Sequence, residues 1–242
     1  MDFTFGIITS GNNFENISKI IKSIESQSIE NYEIIIVGGD NIFKSVDVLH
    51  YPFDDTLKNG WITKKKNIII SKAKYENIVF MHDYIVFHKN WYKGFLKFGN
   101  DFDIAMNKIY NKDNKRFRDW CLWTNNDNFV DDIVNPELKC LLPYEVENLN
   151  EFMYISGTYW VAKRKVMEEN PLNENLLWGQ GEDVEWSKRV RKQYAYKMNK
   201  HSKVLLLKQK RNDFKLISKK DLAKINNQMF NKKEYYKLNE KN

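Results

Sequence analysis

At 242 residues, 42% of them hydrophobic and 14% aromatic, the chain has the material for one large α/β core. No apolar run approaches the roughly 20 residues that span a bilayer, no basic-plus-apolar leader precedes the first strand-like segment, and Cys121 and Cys140 show neither metal spacing nor a disulfide framework, so a cytoplasmic protein is expected. The net charge of +7 is uneven, because residues 197–242 hold fourteen Lys/Arg against four Asp/Glu, a net +10 that leaves −3 on the rest; such a tail suits phosphate, on nucleic acid or an anionic membrane, or serves as a solvated surface.

Phe3 to Thr9 reads as a buried strand and Ser10-Gly11-Asn12-Asn13 as a turn with a capping residue. Phe14, Ile17, Ile20, Ile21 and Ile24 follow at helical spacing. Tyr32 to Val37 is a second strand, closed by Gly38-Gly39-Asp40-Asn41, so the chain begins as strand, helix, strand. That is the start of an open, mostly parallel sheet, in which ligands bind beyond the carboxyl ends of the strands. Val46 to Tyr51 fits a short third strand, and Trp61 to Lys74 a helix with Ile62, Ile69 and Ala73 facing inward. Asn77 to Met81 is a short buried strand ending at His82-Asp83-Tyr84, with Ile85-Val86-Phe87 after it. Residues 99–150 are rich in Asn and Asp and less regular. A strand-like pattern returns over Ile155 to Val161, a helix over Lys163 to Glu169 and a late strand over Val204 to Leu207. Ser218-Lys219-Lys220-Asp221 has the form of a capping box, with Leu222, Ile225 and Met229 on one face behind it. This basic amphipathic segment either packs on its own domain or lies on lipid. The expected division is one domain over residues 1–210 and a basic helical extension over residues 211–242.

The densest cluster of chemistry is Trp178-Gly179-Gln180-Gly181-Glu182-Asp183-Val184-Glu185-Trp186. Glycine lets a backbone approach a ligand, tryptophan offers a flat apolar face to the C–H side of a sugar, and a carboxylate pair can supply a general base and a hydrogen-bonding neighbour. Asp183 falls at a predicted helix start, where the dipole favours its charged form. An ordinary acidic N-cap is the alternative reading.

Together these segments resemble a GT-A-fold glycosyltransferase of the glycosyltransferase family 2 type, over about residues 3–210. The resemblance implies that Thr9 and Ser10, closing the first strand, belong to a nucleotide-binding segment. It gives Asp40 to the base or ribose and matches Lys66-Asn67 to a basic-Asn pair that serves the donor. His82-Asp83-Tyr84 stands where the family carries Asp-x-Asp, the motif that binds a divalent metal on the donor diphosphate. Both outer aspartates are replaced, and Asp83 is the one carboxylate left. Gly157, in Ser156-Gly157-Thr158, matches a glycine that gives the donor sugar room. Trp178 and Gly181 match the acceptor segment, Asp183 the base that takes the acceptor's proton, and Glu182 its partner. His201 follows at about the distance of a metal-ligating histidine. The metal set implied is Asp83 with His201, and imidazole plus carboxylate suits Mn2+ better than Mg2+. Lys64, Lys65 and Lys66 are either a metal-free means of neutralising the diphosphate or a solvated helix face.

The implied activity is inverting transfer of a sugar from a nucleotide-diphosphate donor, UDP first among candidates, to a hydroxyl of a glycan or lipid-linked glycan, as in polysaccharide biosynthesis. One base on the acceptor side suffices for direct displacement. The location implied is cytoplasmic, peripheral to the inner membrane face through the basic segment. The competing classes are an inactive GT-A-like scaffold, which the altered His82-Asp83-Tyr84 allows, and a basic nucleic-acid-binding protein. The second lacks a recognised binding motif.

Overall fold

The computed structural model describes residues 1–40, 47–124 and 138–227. In chain order it contains β1 (Phe3–Ile8), α1 (Phe14–Glu25), β2 (Tyr32–Val37), β3 (Val48–Tyr51), α2 (Ile62–Lys72), β4 (Asn77–His82), β5 (Ile85–Phe87) and α3 (Trp91–Phe98). There follow β6 (Ile104–Tyr110), β7 (Cys121–Thr124), β8 (Leu138–Leu141), β9 (Met153–Tyr154), β10 (Tyr159–Lys163), α4 (Arg164–Glu169), α5 (Glu182–Val190), β11 (Tyr196–Leu206) and β12 (Lys215–Leu216).

Eight strands form one sheet in the order β3-β2-β1-β4-β10-β6-β11-β5, and four form a second in the order β12-β8-β7-β9. The first four are mutually parallel. Beyond them the sheet is mixed, with β10 antiparallel to β4 and β6, and β11 parallel to β6 but antiparallel to β5. Every residue of β1 is buried, as a central strand covered on both faces requires. Phe3, Phe5, Phe87, Trp91 and Phe95 pack edge-on or tilted against one another beneath it. Such pairs each add about 0.5–1.5 kcal/mol beyond the area they bury.

Strand direction fixes where a site can lie. Because β10 is antiparallel to β4, with Tyr159 opposite Met81, the turn before β10 sits at the carboxyl end of β4. Because β11 runs parallel to β6, and so to β1 and β4, its exit lies at that edge too. There the Leu207 amide donates to the Tyr84 carbonyl at 2.9 Å.

Several expectations shift. The strand expected from Ile155 begins only at Tyr159, after a turn in which the Tyr159 amide donates to the Ser156 carbonyl at 3.3 Å. The late strand is the end of an eleven-residue one, bulged between Asn199 and Lys203. Residues 99–150, expected to be irregular, contribute β6, β7 and β8. Asn107 disguised β6: buried mid-strand, it accepts from Tyr159 Oη at 2.6 Å and Trp91 Nε1 at 3.3 Å. Phe14, which shares the helical spacing, is 45% exposed at the first position of α1. At the C-terminal end the capping box forms, with the Asp221 amide donating to Ser218 Oγ at 3.1 Å. Ile225, on the helical segment 219–227 behind it, is buried against the main core. Met229 lies outside the described residues. No helix among the described residues is long and apolar enough to cross a membrane.

Candidate active site

A cavity of about 420 Å³ opens at the carboxyl edge of the sheet. Thr9, Ser10, His82, Asp83 and Tyr84 line it, with Lys65, Trp178, Lys208 and Lys210. β1 and β4 are neighbours in register, Ile8 opposite His82, so the residues that follow each strand meet. Asp83 Oδ2 accepts from Thr9 Oγ1 and from Asn13 Nδ2, both at 2.8 Å. The buried carboxylate thereby ties the loop after β1 to the end of β4. Lys65 reaches the same place from α2, donating to the Thr9 carbonyl at 2.7 Å and to Asp55 at 2.8 Å. Ser10 is exposed at the rim, and Asp40 is exposed beyond the end of β2.

The far wall is Tyr84. His82 stacks on its ring with centroids 5.2 Å apart. The Lys208 ammonium sits 3.9 Å from the ring centroid, and Lys210 Nζ donates to Tyr84 Oη at 2.9 Å. Burial, then the cations of Lys66, Lys210, Lys208 and Lys65, hold His82 well below its ordinary pKa, so its imidazole is neutral. Burial raises the Tyr84 phenol, which stays protonated. Burial first, then Lys208 and Arg118, bring the Lys210 ammonium down to about 8.

Of the Trp178–Trp186 segment, Trp178 lines this cavity. Gly181, with φ at 72°, is the N-cap of α5 and adopts a backbone that favours glycine. The helix then opens on Glu182 and Asp183. Asp183 Oδ2 accepts the Gly157 amide at 2.7 Å and Oδ1 the Val184 amide at 2.9 Å. Glu182 is buried, and burial followed by the Asp183 charge raises its pKa against the opposing pull of Lys66. Lys66 is 1% exposed; its Nζ donates to the Gly157 carbonyl at 3.1 Å and lies 4.5 Å over the Trp160 ring. A Cβ on Gly157 would stand 3.0 Å from Glu182 Oε1 and 3.2 Å from Asp183 Oδ2. The glycine therefore makes room for two carboxylates, whereas the family resemblance assigns that room to a sugar. Trp178 is 70% exposed, its backbone amide held by the Gly60 carbonyl at 2.9 Å, so its ring is not core.

Three placements correct the sequence reading. Asn67 does not face the cavity: its Nδ2 donates to the Leu172 carbonyl and Glu174, and its Oδ1 accepts the Leu172 amide. That amide side chain clamps the 172–174 segment rather than a donor. The Lys64–Lys66 run is not a solvated face, since Lys65 and Lys66 are buried and only Lys64, paired with Glu174 at 3.0 Å, is near solvent. His201 does not meet Asp83. It is exposed on β11, its carbonyl over Gly94 of α3, with Lys97, Lys200 and Lys108 the nearby cations. From His201 the strand runs five residues to Leu206, roughly 16 Å, before the chain reaches Lys208 at the cavity.

Among the described residues, those lining the cavity do not form a ligand set for a divalent cation. Asp83 has one oxygen committed to Thr9 and Asn13, the other carboxylate of the lining, Asp55, is paired with Lys65, and Lys208 and Lys210 add further positive charge. Among the described residues no three His, Cys, Asp or Glu gather as ligands. The sequence reading missed Lys208 and Lys210, which it placed in a basic tail. The sequence offered only their position just after a late strand; it is that strand's direction, parallel to β6, that brings them to the ligand-binding edge.

No protein-family model matches the chain, and no curated protein sequence does. Solved structures share its fold. The chain superposes on GalNAc-T7, crystallised with UDP, GalNAc and Mn2+, with a TM-score of 0.62 at 11% identity, over 86% of this chain and 44% of that one. For S. aureus TarS 1–349 in complex with UDP the TM-score is 0.53 at 13% identity, over 92% of this chain and 62% of that one. For S. aureus TarS it is 0.52 at 12% identity, over 90% and 37%. The chain thus spans less than two thirds of the length of each. At such identities the likeness establishes the fold, and this chain has the α/β GT-A fold, a curled mixed sheet flanked by helices.

Proposed function

We propose that the chain transfers a sugar from a nucleoside-diphosphate donor, UDP first among candidates, to a hydroxyl of a glycan or lipid-linked glycan, with inversion at the anomeric carbon. The observation that carries the reading is that the turn before β10 lies between a half-buried carboxylate and a lysine-lined cavity: its Gly157 amide fixes Asp183, and its Thr158 is reached by Lys210 of the cavity wall. The UDP in the GalNAc-T7 and TarS structures supports the donor class. In this reading Thr9, Ser10 and Asp40 lie along the nucleotide, and Asp83 holds the loop after β1 that carries Thr9 and Ser10. Trp178 gives the acceptor sugar an apolar face at the cavity rim. Asp183 takes the acceptor hydroxyl proton, and Glu182 and Lys66 hold it in place from behind. The acceptor oxygen then displaces the diphosphate directly, so no second carboxylate is needed as a nucleophile. The basic C-terminal segment would draw the protein to an anionic membrane, where a lipid-linked acceptor resides.

The test is release of UDP from UDP-sugars, with and without glycan acceptors. Asp183→Asn keeps the shape and removes the basicity. Transfer is expected to fall at least about 100-fold while UDP binding survives. An Asp183→Asn protein that transfers as fast as wild type removes the base from the mechanism.

A further inference from the structure

We infer that the ammonium groups of Lys208 and Lys210 hold the donor diphosphate, and meet its charge as it leaves, in the place of a divalent cation. This rests on the nucleotide-sugar reading above and specifies how the same site works.

Both lysines line the cavity that contains Thr9 and Asp83. One side chain presents them together: Tyr84 offers its face to Lys208 at 3.9 Å and its hydroxyl to Lys210 at 2.9 Å. Lys210 also reaches Thr158 Oγ1 at 3.4 Å, in the turn that carries Gly157. Among the described residues neither ammonium pairs with a carboxylate. Two other cations near the sheet edge do: Lys65 with Asp55 at 2.7 Å, Arg116 with Asp119 at 2.8 Å. Two neighbouring like charges repel; Lys208 is exposed and Lys210 half-buried, and the Asp183 charge offsets part of that repulsion without an ion pair. An anion with at least two charges relieves that repulsion, and a dication would add to it. The Lys210 pKa of about 8 fits such a site, since the group is charged at neutral pH and gains further from a bound anion.

The transfer step balances without a metal. The acceptor O–H bond breaks, its proton passing to Asp183, and the acceptor oxygen bonds to the anomeric carbon. The bond from that carbon to the distal phosphate oxygen breaks, and its electron pair stays on the phosphate. The released nucleoside diphosphate carries one more negative charge than it did within the sugar ester. Preorganised donors aimed at charge that develops in the transition state are an established source of rate, and Lys208 and Lys210 are such donors here.

The experiment is calorimetric titration of the full chain with UDP, in EDTA and in manganese, with uridine as the control lacking phosphate. Wild type is expected to bind UDP equally in both buffers. The Lys208→Met, Lys210→Met double variant should bind it at least about tenfold more weakly, with uridine binding unchanged. The corresponding arginine variants should retain UDP. Binding of UDP only in manganese, or undiminished binding by the double methionine variant, overturns the inference and leaves the donor reading standing. If wild type binds none of UDP, GDP or dTDP in either buffer, both fall. The wild-type comparison needs no variant, so it decides the matter even if the double variant does not fold.

Discussion

Replacing Lys66 by methionine removes a buried cation while keeping the length of its stem. In the native protein that ammonium donates to the Gly157 carbonyl, lies over Trp160, and acts on Glu182 and Asp183. Below the range where Glu182 ionises, the variant loses one hydrogen bond, about 1 kcal/mol, and is relieved of the cost of burying the ammonium. Above that range Glu182 and Asp183 are two carboxylates without their cation, and the cost climbs towards the roughly 3–5 kcal/mol of a broken buried ion pair. The sign follows from Glu182, whose folded pKa is raised by burial, then by Asp183. A raised acid pKa means the native state holds its proton longer than the unfolded chain, so stability falls as pH rises above the unfolded value. Lys66 opposes that rise, so its loss steepens the fall. A difference of about 2 kcal/mol between pH 5 and pH 8 corresponds to about 4–8 °C in Tm for a chain of this size. Scanning calorimetry of wild type and Lys66→Met across that range is the assay. A Tm offset that stays the same at both ends would show that Lys66 does not compensate the carboxylates.

Three further outcomes are expected. Gly157→Ala places a Cβ 3.0 Å from Glu182 and 3.2 Å from Asp183; since an error of about 1 Å costs on the order of 100-fold, a shift of a few tenths should lower kcat several-fold, which steady-state kinetics reads directly. Trp178→Ala should raise the acceptor KM while Tm and donor hydrolysis hold, because the ring is exposed; a fall in Tm alone would make it a structural residue. UDP affinity should decline as pH rises through about 8 and Lys210 loses its proton, with burial first, then Lys208, Arg118 and Lys66, pressing that pKa down and Asp183 pressing it up; Lys208→Met should move the decline to higher pH, and titrations of UDP at several pH values test both.

Much of the fold was legible because it rests on local pattern. The apolar runs of Phe3 to Ile8, Ile34 to Val37 and Ile78 to Met81 are buried strands whatever their partners, and the turns after them mark one edge of the sheet. The place of Asp183 in the first turn of a helix was legible for the same reason, since Gly181-Glu182-Asp183 fixes its own helix start. Residues whose role depends on a distant partner were not. Asn67 looks like a ligand-facing amide until Leu172 and Glu174 arrive to occupy it. Lys65 and Lys66 look solvated until the loops after β1 and before β10 close over them. His201 sits at a plausible distance along the chain, but a strand of eleven residues carries it away from Asp83. Lys208 and Lys210 are the converse case. Their meaning comes from the direction of β11, which the sequence does not state. Were β11 antiparallel to β6, the same two lysines would leave the sheet at its opposite edge, far from Tyr84. In this fold, charge at the site is set by which way the last long strand runs, and composition alone reports it only as a basic tail.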